Sequence, residues 1–321
     1  MIIVTGGAGF IGSNIIKGLN DRGRSDILIV DDLTEMSKFK NIANAKALDY
    51  LDKNAFAEQV AAGKFDQANV EVIFHEGACS DTMEYNGRYM MENNFEYTKN
   101  LLHFSLKNKI QLIYASSAST YGSGENGFEE KPKCEEALNV YAFSKLFFDR
   151  YARNYFEKAE SQIVGLRYFN VYGPQENHKG KMASMVYQMF NQWQAEKKVK
   201  LFKGIDGYAD GEQKRDFIYV NDVVKVNFFF WEHPELKGVF NCGTGQAHTF
   251  NTLAQAVLKY FGSGELEYIP FPEVLRGKYQ SFTEANSEKL LAAGYDGGFT
   301  PIEQAVAEYC ELLDKNAGYL R

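Results

Sequence analysis

Short apolar runs rich in branched residues recur along the first half of the chain, and each gives way to a stretch with polar interruptions or helical spacing. Met1 to Thr5 is the first, followed by Ile27 to Val30, Val70 to Phe74, Gln111 to Ala115 and Ile163 to Tyr168. Runs this short and this continuously apolar predict strands buried on both faces, as in a parallel sheet. Between them Ser13 to Leu19, Met90 to Asn108 and Tyr141 to Phe156 carry helix-compatible patterns, the second interrupted by the polar pair Asn93 and Asn94. Strand and helix alternating in this way predict a doubly wound parallel sheet. After Tyr168 the regularity weakens. Met182 to Lys197 predicts an amphipathic helix, and Leu201 to Gln213 reads as a polar, glycine-rich segment. Gly238 to Asn241 predicts a strand that returns to the first sheet, and Glu265 to Arg321 is mixed and broken by prolines.

At 321 residues the chain has room for two domains, or one large domain with an added lobe. A net charge of −7 argues against a nucleic-acid surface. Phe228 to Trp231 is the longest aromatic run, far short of a membrane span, so no membrane partner is expected. Met1 to Val4 carries no basic region, and a leader peptide is not expected. Cys79, Cys134, Cys242 and Cys310 are far apart and form no C-x-x-C pair, which reads as reduced thiols rather than a disulfide framework or a metal site. A soluble, cytoplasmic protein is expected.

Candidate chemistry begins where the first strand breaks into Gly6-Gly7-Ala8-Gly9-Phe10-Ile11-Gly12. Gly6 permits a tight turn, Gly9 a close approach of backbone to a pyrophosphate, and Gly12 close packing of the next helix, whose N-terminus faces the phosphates. Asp31 and Asp32 end the second run, where a carboxylate meets the adenine ribose of a bound dinucleotide. Taken alone they favour NAD over NADP, although Lys38 and Lys53 lie downstream to offset their charge. His75 and Cys79 read as a satisfied buried histidine and an inert core thiol. The hydroxyl cluster Ser116 to Thr120 stands at a strand end, and Ser117 is a candidate donor to a reacting oxygen. Tyr141 and Lys145 lie four apart and share one helix face. A neighbouring ammonium favours the phenolate, so the two form a plausible acid/base pair for an alcohol oxygen.

The glycine turn, the Ser117 cluster, Tyr141 with Lys145, Asn170 to Pro174 and Arg215 to Val220 stand in one order, and this set resembles the nucleotide-sugar branch of the extended short-chain dehydrogenase/reductase family along nearly the whole chain. Phe74 to Ser80, Arg167 to Met182 and Tyr268 to Pro272 with Gly277 to Gln280 are similar, more narrowly, to members that epimerise an ADP-heptose, the precursor of the lipopolysaccharide inner core. The resemblance implies a Rossmann domain over residues 1–171 with a returning segment near 216–250. A smaller mixed α/β substrate lobe would come from 172–215 and 251–321. It implies backbone contacts of Phe10 and Ile11 to the pyrophosphate, with Asp31, Asp32, Lys38 and Lys53 around the adenosine end. Glu76, Gly77, Ala78, Cys79, Ser80, Asn93, Val171 and Lys179 would line the cofactor, and Lys145 would meet the nicotinamide ribose. The implied cofactor is NADP, with NAD possible. Substrate contacts would come from Asn170, Lys181, Gln188, Phe202, Lys203, Gly204, Ile205, Arg215 and Tyr279. The implied reaction inverts C6″ by transient oxidation, with Tyr141 and Lys179 as two acid/base groups and Ser117 as hydroxyl donor. Arg215 would clamp the diphosphate. A homo-oligomer, in similar enzymes a pentamer, is implied as well.

Other readings remain at this point. A 4,6-dehydratase needs a carboxylate beside the hydroxyl donor, where this chain has Ala118 and Ser119. A net dehydrogenase would use the same tyrosine and lysine. A dinucleotide-sensing protein would keep Gly6 to Gly12 but have no need of Tyr141 and Lys145.

Overall fold

The computed structural model describes residues 1–273 and 279–320; Gly277 and Lys278 of the resemblance lie outside the described residues. The main sheet has seven strands: β1 (Ile2–Thr5), β2 (Ile27–Asp31), β3 (Asp49–Asp52), β4 (Val72–His75), β5 (Gln111–Ser117), β6 (Ile163–Tyr168) and, much later in the chain, β10 (Gly238–Cys242). Their spatial order is β10-β6-β5-β4-β1-β2-β3, and every pair is parallel. Ile2 to Thr5 are all buried, as the unbroken apolar run requires of a central strand. The strand order reverses beside β1, and the crevice at the carboxyl ends there is where open α/β sheets take ligands.

Helices cover both faces. On one, α1 (Phe10–Asp21) packs against α8 (Val220–Glu232), close enough that a Cβ on Gly18 would stand 2.9 Å from the Phe228 ring. On the other, Phe56 of α3 (Lys53–Ala61), Leu101 and Leu102 of α5 (Tyr97–Asn108) and Phe148 of α6 (Val140–Arg153) meet Ile3, Ile73 and Leu112 in a second core. Among the short helices, α2 is Phe39–Ile42, α4 is Gly87–Met91 and α10 is Glu288–Ala292.

The smaller lobe is built on two sheets. In one, β9 (Lys214–Tyr219) lies between β7 (Asn170–Tyr172), to which it is parallel, and β11 (Ala247–Thr249), to which it is antiparallel. In the other, β8 (Lys198–Phe202) pairs with β12 (Glu265–Ile269). The helices α7 (Met185–Glu196), α9 (Phe250–Phe261) and α11 (Ile302–Asn316) close a third core over these strands. None of the helices among the described residues is long and apolar enough to cross a membrane.

Several elements differ from the sequence reading. The helix expected over Met90 to Asn108 is interrupted by a π-turn at Glu92–Glu96. The widened turn carries Asn94 inward, where its side-chain amide donates to the Cys79 carbonyl (3.0 Å) and to Ser144 Oγ (3.0 Å) and its oxygen accepts from the Cys79 N–H (2.8 Å). Such bulges concentrate at functional sites. Ser184 caps α7, accepting from the Tyr187 N–H, so this helix starts later than Met182. β3 has an exposed-to-intermediate pattern, and β8 with β12 forms a half-exposed ribbon whose residues alternate polar and apolar, so none of the three shows as an unbroken apolar run. Of the segment near 216–250, only β10 joins the main sheet, whereas β9 stays in the lobe. Leu290 and Tyr295, by contrast, pack into the core of the main sheet although they lie beyond residue 251.

Candidate active site

A cavity of about 570 Å³ opens at the carboxyl ends of β1, β2, β4 and β5. Gly6, in the left-handed region at φ 65°, turns the chain so tightly that a Cβ there would stand 2.6 Å from the Gly77 backbone N. Gly9 precedes α1 in extended geometry with no side-chain cap, and no acidic residue stands in the first turn. The first N–H groups of α1 therefore face the cavity without a competing carboxylate. That combination fits the pyrophosphate of a dinucleotide.

At the far end of this cavity Asp31 Oδ2 accepts from the Ala8 N–H at 2.7 Å, and its other oxygen pairs with Lys38. Asp32 accepts from both the N–H and the hydroxyl of Thr34 and lies 3.0 Å from Lys53 Nζ. The Thr34 hydroxyl, followed by its N–H and Lys53, holds the Asp32 carboxyl down at about 2. Lys53 also donates to Asn93 Oδ1 at 3.1 Å. Each acid at this end of the cavity thus carries its own lysine.

Another part of the cavity wall is assembled from β5 and α6. Asn139 caps α6 by accepting from the Ala142 N–H (2.8 Å), which sets Tyr141 in the first turn and Lys145 one turn on. Asp149, a turn further along, is fully buried and accepts from Tyr114 Oη (3.0 Å), Ser116 Oγ (2.9 Å) and Arg167 Nε (2.9 Å), tying the helix to the strand that ends in Ser117. Lys145 Nζ donates to the Ala115 carbonyl at 2.8 Å; burial brings this ammonium down to about 8, against the pull of Glu76. Burial pushes the Tyr141 phenol up, with the Ser117 hydroxyl opposing the rise. The sequence reading expects the lysine to lower the phenol; in the protein desolvation sets the direction, and the group that opposes it is the Ser117 hydroxyl rather than Lys145. Glu76 accepts from Tyr168 Oη at 2.9 Å, its second oxygen is buried without a hydrogen-bond partner among the described residues, and burial lifts its carboxyl to about 7. His75 is spanned by Thr5 Oγ1 (2.6 Å) and Thr98 Oγ1 (2.8 Å), and burial holds it neutral, with its pKa down to about 3. It is the satisfied core histidine expected. Cys79 is only partly buried, and desolvation raises its thiol.

A second cavity, of about 520 Å³, lies against the lobe and shares Phe169, Val171 and Lys179 with the first. Lys179 therefore stands where the two meet, its Nζ 5.1 Å from the centre of the Phe10 ring. Burial lowers its ammonium, and Glu176 opposes that. Arg215 is buried 4.7 Å from the centre of the Tyr279 ring and 6.0 Å from that of Phe250, so among the described residues rings rather than a carboxylate flank its guanidinium. Asn170 reaches the Asp216 carbonyl (3.2 Å) and Thr283 Oγ1 (3.1 Å).

The cofactor residues named from sequence, from Gly6, Gly9, Phe10, Ile11 and Gly12 through Val171 and Lys179, all line the first cavity, together with Ser117 and Tyr141. Of the substrate residues, Asn170, Phe202, Arg215 and Tyr279 line the second. Lys181 is exposed beside it, Gln188 turns its amide to the Gly180 carbonyl (2.9 Å), and Lys203, Gly204 and Ile205 stand off its wall in the loop after β8. The sequence reading gave no role to Tyr168 or His178, which line the first cavity, or to Thr82, which lines the second. His178 carried a usable signal, since it directly precedes Lys179. Burial, with Lys38 and Lys179 nearby, holds its imidazole down to about 4.

Residues 2–243 match the model of the NAD dependent epimerase/dehydratase family. The chain is 56% identical to the ADP-L-glycero-D-manno-heptose-6-epimerase of Brachyspira hyodysenteriae over all of both chains. Among solved structures, the ADP-L-glycero-D-manno-heptose-6-epimerase of Helicobacter pylori superposes with a TM-score of 0.84 at 31% identity, over 98% of this chain and 96% of that one. The UDP-glucose 4-epimerase of Thermus thermophilus, in complex with NAD, gives 0.81 at 26% identity over 98% and 99%.

Proposed function

We propose that this chain, which belongs to the NAD dependent epimerase/dehydratase family, is an isomerase that inverts C6″ of ADP-D-glycero-β-D-manno-heptose to the L-glycero epimer. The observation that carries this reading is the placement of Lys179 on the wall of both cavities, while Ser117 and Tyr141 line the first alone. A nicotinamide dinucleotide, when bound, supplies a reversible hydride acceptor, which is needed because the C–H beside an alcohol is too weak an acid to lose its proton directly. The chain's own residues do the remainder. Gly6, Gly9 and the open N-terminus of α1 hold the pyrophosphate, Lys145 meets the ribose, and Arg215 takes the substrate diphosphate with a guanidinium that no carboxylate occupies among the described residues. Ser117 donates to the reacting oxygen. Tyr141 and Lys179 move its proton on opposite sides of the sugar, and burial drives the phenol to keep its proton and the ammonium to lose it. One donor and one acceptor per turnover suit an inversion. The dehydratase alternative lacks its acid, because Ala118 and Ser119 follow Ser117 and the Ser119 hydroxyl is spent on Ser117 Oγ at 2.9 Å.

The test is to incubate the protein, without added nicotinamide, with ADP-D-glycero-β-D-manno-heptose and to follow the C6″ configuration by NMR. Inversion with no cofactor consumed is expected; a stoichiometric demand for free cofactor would instead mark a net dehydrogenase.

The bound form is NADP in this reading. Lys38 on Asp31 and Lys53 on Asp32 neutralise the two carboxylates that would repel a 2′-phosphate. Lys53→Ala is expected to weaken NADP about tenfold more than NAD, in line with one lost charge-assisted contact. Fluorescence titration of the stripped protein with each dinucleotide reads the ratio, and equal losses for both would remove Lys53 from phosphate recognition.

A further inference from the structure

Lys179 lies in a short 3₁₀ stretch, Asn177–Met182, kinked at Gly180 (φ 52°), which is a weak support for a side chain that must deliver a proton accurately. One residue before that stretch, Glu176 is fully buried. Its Oε1 accepts from Ser184 Oγ (2.6 Å) and from Tyr309 Oη of α11 (3.0 Å), and its Oε2 accepts from the Ser184 N–H (2.6 Å). The Glu176 carbonyl in turn accepts from the Lys179 N–H at 2.9 Å, closing the turn. A carboxylate taken fully out of water for structural reasons alone is costly, and a neutral side chain would anchor the loop at less expense. What the charge adds is a through-space pull on the proton of Lys179, which is half-buried beside the Phe10 ring; the two groups make no direct ion pair among the described residues.

We propose that Glu176 is the positioning residue of Lys179: clamped by Ser184 and Tyr309, it fixes the turn that carries Lys179 and places a buried negative charge three residues before it. This rests on the reading of Lys179 as a proton-handling group. The other groups around the pair do not supply the same charge. Lys179 stands against the Phe10 ring of α1 and shares its turn with Glu176 and His178, while Lys38, Asp31 and Glu35 act electrostatically on His178. The Glu176 carboxylate touches Ser184 and Tyr309, and Lys179 acts on it through space, as Tyr187 and Cys310 act on Tyr309. The electrostatics run in the required sense, since Glu176 raises the proton affinity of Lys179 and Lys179 lowers that of Glu176, each against its own burial.

Glu176→Gln separates charge from anchoring. An amide oxygen in place of Oε2 still accepts from the Ser184 N–H, and the amide nitrogen in place of Oε1 donates to the two hydroxyl oxygens, which reverse their roles. The readout is the titration of Lys179 itself, measured on the cofactor-loaded protein by trace acetylation across pH and peptide mass spectrometry. In Glu176→Gln the Lys179 midpoint is expected to move to lower pH while that of Lys145 stays in place, and in Glu176→Asp it is expected to stay near the parent value. The limb of the pH–kcat profile owed to Lys179 should follow the same shift. An unmoved Lys179 midpoint in Glu176→Gln, or an equal displacement in Glu176→Asp, overturns the proposal. Should the amide variant not fold, Ser184→Ala and Tyr309→Phe each remove one donor from the carboxylate, which then keeps its own proton to higher pH. Lys179 should move downward in both, and no movement in either is equally fatal. Full inversion activity in Lys179→Met would instead sink the proton-handling reading, a result the titration does not depend on.

Discussion

Tyr141→Phe is expected to slow inversion at C6″ by about 10² to 10⁴, the range in which a positioned acid/base group acts, while dinucleotide affinity and melting temperature stay near the parent values. The phenylalanine ring keeps the packing of the first turn of α6 and leaves the cap at Asn139 and the anchor at Asp149 untouched. Only the hydroxyl facing Ser117 is lost. Lys145 cannot replace it, because its ammonium is held on the Ala115 carbonyl. Lys179→Met is expected to cost a comparable factor, since a proton must be delivered on the opposite side of the sugar and methionine fills the same space without a titrating group. Coupled NMR and quench measurements of kcat, with cofactor content determined on the same samples, distinguish lost chemistry from lost binding. Full activity in either variant would dismantle the two-group assignment. A loss confined to KM would move that residue to substrate binding.

The parts of this site that could be read from the sequence are those encoded by local geometry. A glycine turn between an apolar run and a helix has one conformational use, and Tyr141 with Lys145 share a helix face whatever else the chain does. These stretches converge on one cavity because strand ends of a parallel sheet all meet on one edge. What was not legible depends on contacts distant in sequence. The inward turn of Asn94 requires Cys79 and Ser144, which lie on two other segments. Glu176 looks like any loop acid until Tyr309, more than a hundred residues away, is seen to close on it. β8 (KVKLF) and β12 (ELEYI) alternate polar and apolar residues, a period-2 signal that a search for unbroken apolar runs passes over, and the loop after β8 takes Lys203, Gly204 and Ile205 away from the wall of the second cavity. The rise of the Tyr141 phenol was misjudged for a related reason: a charge four residues away is visible in sequence, whereas loss of water is a property of the assembled fold.

Gly12→Ala is expected to remove most of the dinucleotide from the purified protein, although by helix propensity alone it should help. Alanine inside a helix gains about 0.5–1 kcal/mol over glycine. Gly12 lies in the first turn of α1, where an added Cβ would be driven into the Gly6 carbonyl oxygen and come within 2.8 Å of the carbonyl carbon. Neither atom can yield cheaply. Gly6 is itself fixed in the left-handed region, and its surroundings are backbone, the Glu76–Gly77 segment at the end of β4. Overpacking of this kind costs about 1–3 kcal/mol, so the strain exceeds the propensity gain, and it is relieved only by α1 backing away from the turn. That motion carries the free N–H groups of the helix away from the pyrophosphate. A dinucleotide Kd raised at least about tenfold follows from losing some 1.4 kcal/mol of phosphate contact. Absorbance of the nucleotide released on denaturation, compared with the parent protein, gives the retained fraction, and calorimetric titration of the stripped variant gives the Kd. A variant that retained its full cofactor load would show that the packing of α1 on the glycine turn does not set how phosphate is held.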